Sequence, residues 1–548
     1  MSQAYRRALA AAAALAASVP APAVAQTPIF GETVEVRVVN LEVEVTDRDG
    51  FPVTGLAPGD FELTVDGERV PIRYFTEIRS GIAVAPPEAT GAPVAEVPDL
   101  VPGEPVGTSY LVFVDDFFPL ARDRNRVLEA LRGDVGRLRP EDRMAIVAFD
   151  GEQLAMLTSW TNSSRQLERA LRQAIGRAAH GLRRLAERRS LRNDRTAARA
   201  FPGANRLSRL DTRLDVSERF YAEMVEQQLD NVVSAVTAAL RGFANPPGRK
   251  VLLMLSGGWP YDIGEFVSNA FGRVVNEPGI KRGEALYGAI ADTANQVGYT
   301  VFAVDVPGMG GESLADADLD TIPPQGERFT AFLRENNEQY TLQRIAAETG
   351  GAALLDSRRL QALAAAEAAT RTYYWIGFIP SWLGDDGRHA VAVLVLRDGV
   401  RSRTRTGYAD FSRSREVTAA VESVLLFGSG PGVLPLALEV GRPTFPSSRL
   451  MRVPIAIELP TAELTLLSGA DGAVAELELR VAAVDDRGGR SEIPVVPMHV
   501  VVGADRPPPA GTRYMTQLEL RRVRNRIVVA VYDPVTGNLW SATAEVTP

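Results

Sequence analysis

The chain has 548 residues, 45% hydrophobic and 23% charged, with 60 basic against 68 acidic side chains and a formal charge of −8. That length suggests about three or four domains of roughly 100–200 residues, each able to bury a core, and the charge balance gives no reason to expect nucleic acid. Cysteine is absent and the histidines are His180, His389 and His499, which excludes disulfides, thiol nucleophiles and cysteine metal sites and leaves little material for imidazole catalysis.

Residues 1–25 carry the pattern of a secretory signal. Arg6 and Arg7 precede the apolar stretch Ala8 to Ser18, and Ala23-Val24-Ala25 offers a small-x-small cleavage site before Gln26. The reading predicts export, to a periplasm or the extracellular space. No later apolar run reaches the ~20 residues a bilayer needs, so no transmembrane segment is expected.

Residues 26–83 alternate with period two. Val34, Val36 and Val38 share one face, Leu41, Val43 and Val45 continue the pattern, and Asp47-Arg48-Asp49-Gly50 and Asp66-Gly67 read as hairpin turns. This predicts an N-terminal β-sandwich domain, followed by a Pro- and Ala-rich linker over 84–107.

The pattern then changes. Tyr110 to Val114 (ending at Asp115), Met144 to Phe149, Val251 to Leu255 and Thr300 to Val304 are continuous apolar runs, as strands buried on both faces require. Gln153 to Leu157 and Ala352 to Leu355 are shorter strand candidates. Helical spacing is read over 122–138, 229–243, 284–297 and 340–349. The alternation predicts an α/β domain over 108–372, with a doubly wound, Rossmann-like parallel sheet. A helical insertion at about 176–225 interrupts it. Between Arg165 and Arg213 there are 14 arginines against Glu168, Glu187, Asp194 and Asp211, a local charge of +10. This segment reads either as a solvated hairpin or as a docking surface for an anionic partner. Few aromatics stand among the arginines, which argues against nucleic acid.

From 373 to 411 the runs Tyr373 to Ile379, Ala390 to Leu396 and Val400 to Thr406 read as a β meander. A helix and linker follow over 412–432, and a second β-sandwich domain over 433–548.

Four stretches carry a family resemblance: Val43-Glu44-Val45-Thr46-Asp47 through Asp66-Gly67, Tyr110 to Asp116, Thr349-Gly350-Gly351, and Tyr374-Trp375-Ile376-Gly377-Phe378-Ile379-Pro380 with Arg405-Thr406-Gly407-Tyr408. Together they resemble the von Willebrand factor A (VWFA)-related domain proteins of the acidobacterial type, over roughly residues 30–410. The resemblance implies a binding module rather than an enzyme. It also implies a metal-ion-dependent adhesion site at the carboxyl ends of the strands, where an Asp-x-Ser-x-Ser loop, a Thr and a second Asp hold Mg²⁺. Here the loop reads Asp115-Asp116-Phe117-Phe118-Pro119, so the two serine positions fall on Phe117 and Pro119. Ser256-Gly257-Gly258 stands where Asp-Gly is usual. Asp115, Asp116 and Thr161 (with Thr158 as its alternative) are the remaining oxygen ligands, weak candidates for a Mg²⁺ site.

The expectation is therefore an exported, non-enzymatic protein that needs no cofactor and binds a protein partner without metal. Phe117, Phe118, Trp259 and Tyr261 are the expected exposed anchors, with burial of these aromatics as the alternative. Two other readings stay open: a metal-dependent hydrolase using Asp115 and Asp116, and an envelope protein gripping anionic glycan or lipid through the arginine-rich insertion. Asp316-x-Asp318-x-Asp320 with Glu327 imitates a calcium loop, but Thr321 stands at its glycine position and Pro323-Pro324 follow. Gly308-Met309-Gly310-Gly311 lacks the third spaced glycine and the lysine of a phosphate loop. His389 is read as a structural hydrogen-bonder in a meander turn.

Overall fold

The structure is a computed structural model that describes residues 38–84, 100–187, 190, 216–244, 246, 248–269, 279–306, 325–427, 433–459, 464, 467–469, 472–485, 491–502 and 512–548. The signal stretch, Val34 and Val36, much of the 84–107 linker, the arginine-rich segment beyond 187, Gly308 to Gly311 and Asp316 to Asp320 lie outside the described residues.

The chain is a mixed α/β protein with several sheets. Its first strands are β1 (Val39–Thr46), β2 (Phe61–Val65), β3 (Glu68–Arg69), β4 (Tyr74–Arg79) and β5 (Ile82–Val84). Next come β6 (Thr108–Asp115), α1 (Ala121–Asp134), β7 (Arg143–Phe149), β8 (Leu154–Thr161), α2 (Ser164–Ile175), α3 (181–187 within the described residues) and α4 (Val216–Gly242). These are followed by β9 (Arg249–Ser256), α5 (Ile263–Asn269), α6 (Glu284–Val297), β10 (Tyr299–Asp305), α7 (Gln325–Glu348), β11 (Ala353–Leu354) and α8 (Ala362–Thr370).

β6 to β11 form one six-stranded sheet in the order β11-β10-β9-β6-β7-β8. Its pairings are parallel except for β8, which runs antiparallel to β7 at the edge. All eight residues of the central β6 are buried. The pleat sends Leu111 and Phe113 to one face and Tyr110, Val112 and Val114 to the other. The first face packs on α4, α6 and α7, the second on α1, α2 and α8. Apolar runs without alternation are therefore what this sheet demands, because neither face meets water.

The chain then forms β12 (Tyr373–Phe378), β13 (Gly387–Val395), β14 (Arg401–Arg403) and β15 (Gly407–Asp410). The sequence reads these strands as a meander separate from the N-terminal β unit, but the pairing interleaves the two. One sheet has the order β14-β1-β12-β4-β5, the other β15-β13-β2-β3. Val39 sits opposite Phe378 and Phe61 opposite Val395. Leu41, Val43 and Ile376 of the first sheet share a core with Phe61, Leu63 and Val391 of the second. His389 is consequently in a strand, not in a turn.

Helix α9 (Arg413–Phe427) leads to the C-terminal strands. These form a sheet around Gly472–Asp485 and Asn525–Tyr532 and a three-stranded sheet centred on Leu450–Leu459, with Met451, Val453, Leu477 and Val529 in a common core. No helix among the described residues is long and apolar enough to cross a membrane.

Candidate functional site at the strand ends

The parallel register puts Asp115 level with Phe149 of β7, and Leu255, one residue before Ser256, level with Val114 of β6. Asp115 and Ser256 thus meet at the carboxyl ends of adjacent strands, where open α/β sheets place ligands. Asp115 is fully buried. Its Oδ1 accepts the backbone N–H of Phe117 at 2.8 Å and of Phe118 at 3.2 Å. Its Oδ2 accepts the Ser256 hydroxyl at 2.9 Å and the Trp259 indole N–H at 3.0 Å. Four donors fill the accepting capacity of a carboxylate. Burial pushes the Asp115 carboxyl up to about 6, with these hydrogen bonds opposing the rise.

Asp116 is buried and held by two arginines. Its Oδ1 accepts Arg124 Nη1 and its Oδ2 accepts Arg177 Nε, both at 2.5 Å. Burial raises its carboxyl above the ordinary range, against the pull of the two guanidiniums. Arg124, on α1, is itself fully buried. Its remaining donors reach Asn125 Oδ1 and the carbonyls of Ile175 and Arg177. A lysine could not serve here, since only a guanidinium offers five N–H donors in a planar fork.

The start of the insertion is built into the same site. The His180 N–H donates to the Asp116 carbonyl at 2.8 Å. A Cβ on Gly181 would lie 2.4 Å from the Pro119 carbonyl oxygen, so only glycine lets α3 approach the loop this closely. The Arg184 guanidinium sits 4.5 Å above the Phe117 ring. Arg177 and Arg184 of the basic segment therefore serve the fold.

Two expectations need correction. Thr161 is not part of this site, because β8 runs antiparallel. It pairs with Met144 at the start of β7, whereas Asp115 pairs with Phe149 at its end. Five residues at about 3.3 Å each put the two roughly 17 Å apart along the sheet. Thr161 instead donates to Gln166 Oε1 and accepts the Ser163 N–H, and Thr158, opposite Ile146, is no nearer the strand ends than mid-sheet. The aromatics are not exposed anchors either. Phe118 and Trp259 are fully buried and Phe117 and Tyr261 half-buried. The Trp259 ring must reach Asp115 with its N–H and stacks on Tyr287 at 6.0 Å, with the planes 3° apart. Phe117 packs edge-on against Phe118, and Tyr261 edge-on against Tyr340.

Sequence reasoning missed Arg124 and Arg177. Arg124 had a legible signal, for it falls on the same helical stripe as Val127, Leu128 and Leu131. A charge on an apolar stripe needs a buried partner, and Asp116 is that partner.

No family model matches the chain, and no curated protein matches it. Among solved structures it is similar to the pilus adhesin SpaC from Lactobacillus rhamnosus GG at 9% identity, covering 80% of this chain and 56% of that one with a TM-score of 0.24. It is similar to an ApaA protein from Bordetella pertussis at 14% identity, covering 21% of this chain and 94% of that one with a TM-score of 0.13. It is also similar to a β-glucuronidase of Bacteroides uniformis at 11% identity, covering 32% of this chain and 19% of that one with a TM-score of 0.14. At these TM-scores none of the likenesses carries an argument about fold or function.

Proposed function

We propose that the chain is an exported, non-enzymatic binding protein whose central domain is VWA-like and doubly wound. β-Sandwich domains flank it, and it engages a protein partner without a metal ion at its strand ends. The observation that carries this reading is the Asp116, Arg124 and Arg177 cluster. The positive charge that a cation would bring to the loop comes from two guanidiniums, while Asp115 spends its lone pairs on four protein donors. The same saturation speaks against a hydrolase, because a carboxylate pair that activates water must touch it.

With the aromatic loop folded inward, the contact surface is the arginine-rich segment that follows the clamp. Leu182, Val216 and Phe220, exposed at 71%, 87% and 71%, flank it on α3 and α4. A partner with acidic side chains around an apolar patch matches that composition.

The test has two arms. Calorimetric titration of Mg²⁺ is expected to give the same isotherm for the parent and for Asp115→Asn and Asp116→Asn, and a signal lost in either variant would restore a strand-end metal site. Cross-linking of the full chain to envelope proteins of its source is expected to weaken at least tenfold when Arg192, Arg195 and Arg199 are changed to Glu. Binding of anionic vesicles or glycans, without protein capture, would favour the envelope-gripping reading instead.

A further inference from the structure

A second cluster of carboxylates lies in the β domain, around His389. β13 and β15 are antiparallel, with Gly387 opposite Asp410 and His389 opposite Tyr408. Positions two apart in a strand share a face, so this register aims His389, Tyr408 and Asp410 to one side of the ladder. Asp410 is buried, and its Oδ2 accepts the N–H groups of Leu383 and Gly384 at 2.5 and 2.9 Å. Asp385 is exposed on the loop between β12 and β13, its Oδ1 accepting the Gly387 N–H at 2.8 Å. The His389 ring stacks on Tyr408, with centroids 4.9 Å apart and planes at 21°.

The two ring nitrogens are treated differently. Nδ1 lies 2.8 Å from Asp66 Oδ2, and the other oxygen of Asp66 accepts the Ala390 N–H at 2.8 Å. Asp66 is fixed in turn by its place in the β2–β3 hairpin, where it and Gly67 have φ of 50° and 85°. In the tautomer that donates Nδ1–H to Asp66, Nε2 carries the lone pair. Nε2 is buried and, among the described residues, has no hydrogen-bond partner. One ligand atom each from Asp385, His389 and Asp410 lie within 4.8 Å of one another. Three such atoms gathered this closely, one nitrogen and two carboxylate oxygens, are within reach of a single cation. The neighbouring Arg388 does not neutralise the cluster, since it ion-pairs with Glu284 and Asp292 of α6.

We propose that Asp385, His389 Nε2 and Asp410 form a divalent transition-metal site, with Asp66 orienting the imidazole. One nitrogen and two carboxylate oxygens suit Zn²⁺, with water completing its tetrahedron, better than Mg²⁺ or Ca²⁺, which prefer an all-oxygen shell. A carboxylate on the far ring nitrogen is the arrangement that fixes the tautomer of metal-binding histidines. The ion joins the 383–387 loop to β13 and β15 and, through Asp66, to the β2–β3 hairpin, so its binding free energy stabilises the β domain. This site is independent of the strand-end loop and of the function proposed above.

The experiment uses the full chain stripped of metal by a chelator and then titrated with ZnCl₂ by calorimetry, with melting temperature recorded beside it. The expected result is one saturating site per chain and a raised melting temperature. Asp385→Asn is expected to weaken affinity at least tenfold while leaving the metal-free melting temperature unchanged, because Asp385 is exposed. His389→Gln is expected to abolish binding, and Co²⁺ to give a tetrahedral absorption band that Asp410→Asn alters. A parent protein that does not saturate overturns the proposal, as does affinity undiminished in both Asp385→Asn and His389→Gln, which would put the ion at His180 or His499. An imidazolium held among the carboxylates by proton charge alone corresponds to the first of these failures.

Discussion

The strand-end loop and the His389 cluster both gather carboxylates, yet they are completed in opposite ways. At the strand ends every acidic oxygen faces a donor from the protein itself: two backbone amides, a hydroxyl and an indole for Asp115, two guanidiniums for Asp116. Around His389 the carboxylates of Asp385 and Asp410 accept backbone donors on one oxygen each, while the buried His389 Nε2 beside them has no hydrogen-bond partner among the described residues. Aspartate count alone therefore says little about metal binding. The number of donors already spent on each oxygen decides it, because a saturated carboxylate must break hydrogen bonds before it can ligate an ion.

The sharpest way to break this comparison is to unbalance the saturated side. Asp116→Ala leaves Arg124 buried without its counter-charge and is expected to cost about 3–5 kcal/mol in urea unfolding. Replacing the pair together, with Asp116→Leu and Arg124→Met, is expected to cost less than Asp116→Ala alone, since the fully buried guanidinium is then gone and only the partly exposed Arg177 loses a partner. If the single change is silent, Arg124 is not held as the geometry indicates.

Asp115 provides the next effect through pH. Its carboxyl is raised to about 6 in the folded chain, so the folded state takes up its proton more readily than the unfolded state. That contribution is fully present below about pH 4 and is lost as pH rises through about 6, a difference of about 3 kcal/mol. Asp115→Asn should remove that portion of the slope when unfolding is followed from pH 4 to pH 7. An unchanged slope would mean that Asp115 does not titrate as its burial requires.

On the unsaturated side the effects are smaller and are read in metal affinity. Asp66→Asn is expected to weaken Zn²⁺ binding about 10–100-fold without touching a ligand, the usual cost of removing a group that orients a metal-binding histidine. An equal Kd for the variant would show that the hairpin carboxylate does not set the tautomer. Smallest of all, Asp385→Asn is expected to shift metal-free stability by no more than about 0.5 kcal/mol, as exposed substitutions do. A larger loss would make Asp385 part of the packing rather than a ligand.

Much of the central sheet was legible in one dimension. The runs Tyr110 to Val114, Met144 to Phe149, Val251 to Leu255 and Thr300 to Val304 coincide with β6, β7, β9 and β10, because a strand buried on both faces has no polar face to show. The helix read over 284–297 is α6 as observed, while the one read from 229 extends back to Val216. Tyr221, Val225 and Leu229 stand at helical spacing there and enter the core, a signal that the arginine-rich reading of the segment up to 225 passed over.

What the sequence by itself determined was local: where the chain is apolar, where it turns, and that two aspartates end the first buried strand. Which residues meet was decided only by the tertiary structure. The direction of β8 carried Thr161 away from Asp115, since antiparallel and parallel edge strands have the same hydrophobic pattern. Trp259 turned inward because Asp115, 144 residues away, accepts its N–H. Val39 paired with Phe378, and Asp66 met His389 across 323 residues, only once the α/β domain had brought β12 and β13 back beside β1 and β2. Hydrogen-bond donors and acceptors are short-ranged and indifferent to sequence distance, so saturation of a site is a property of the folded chain alone.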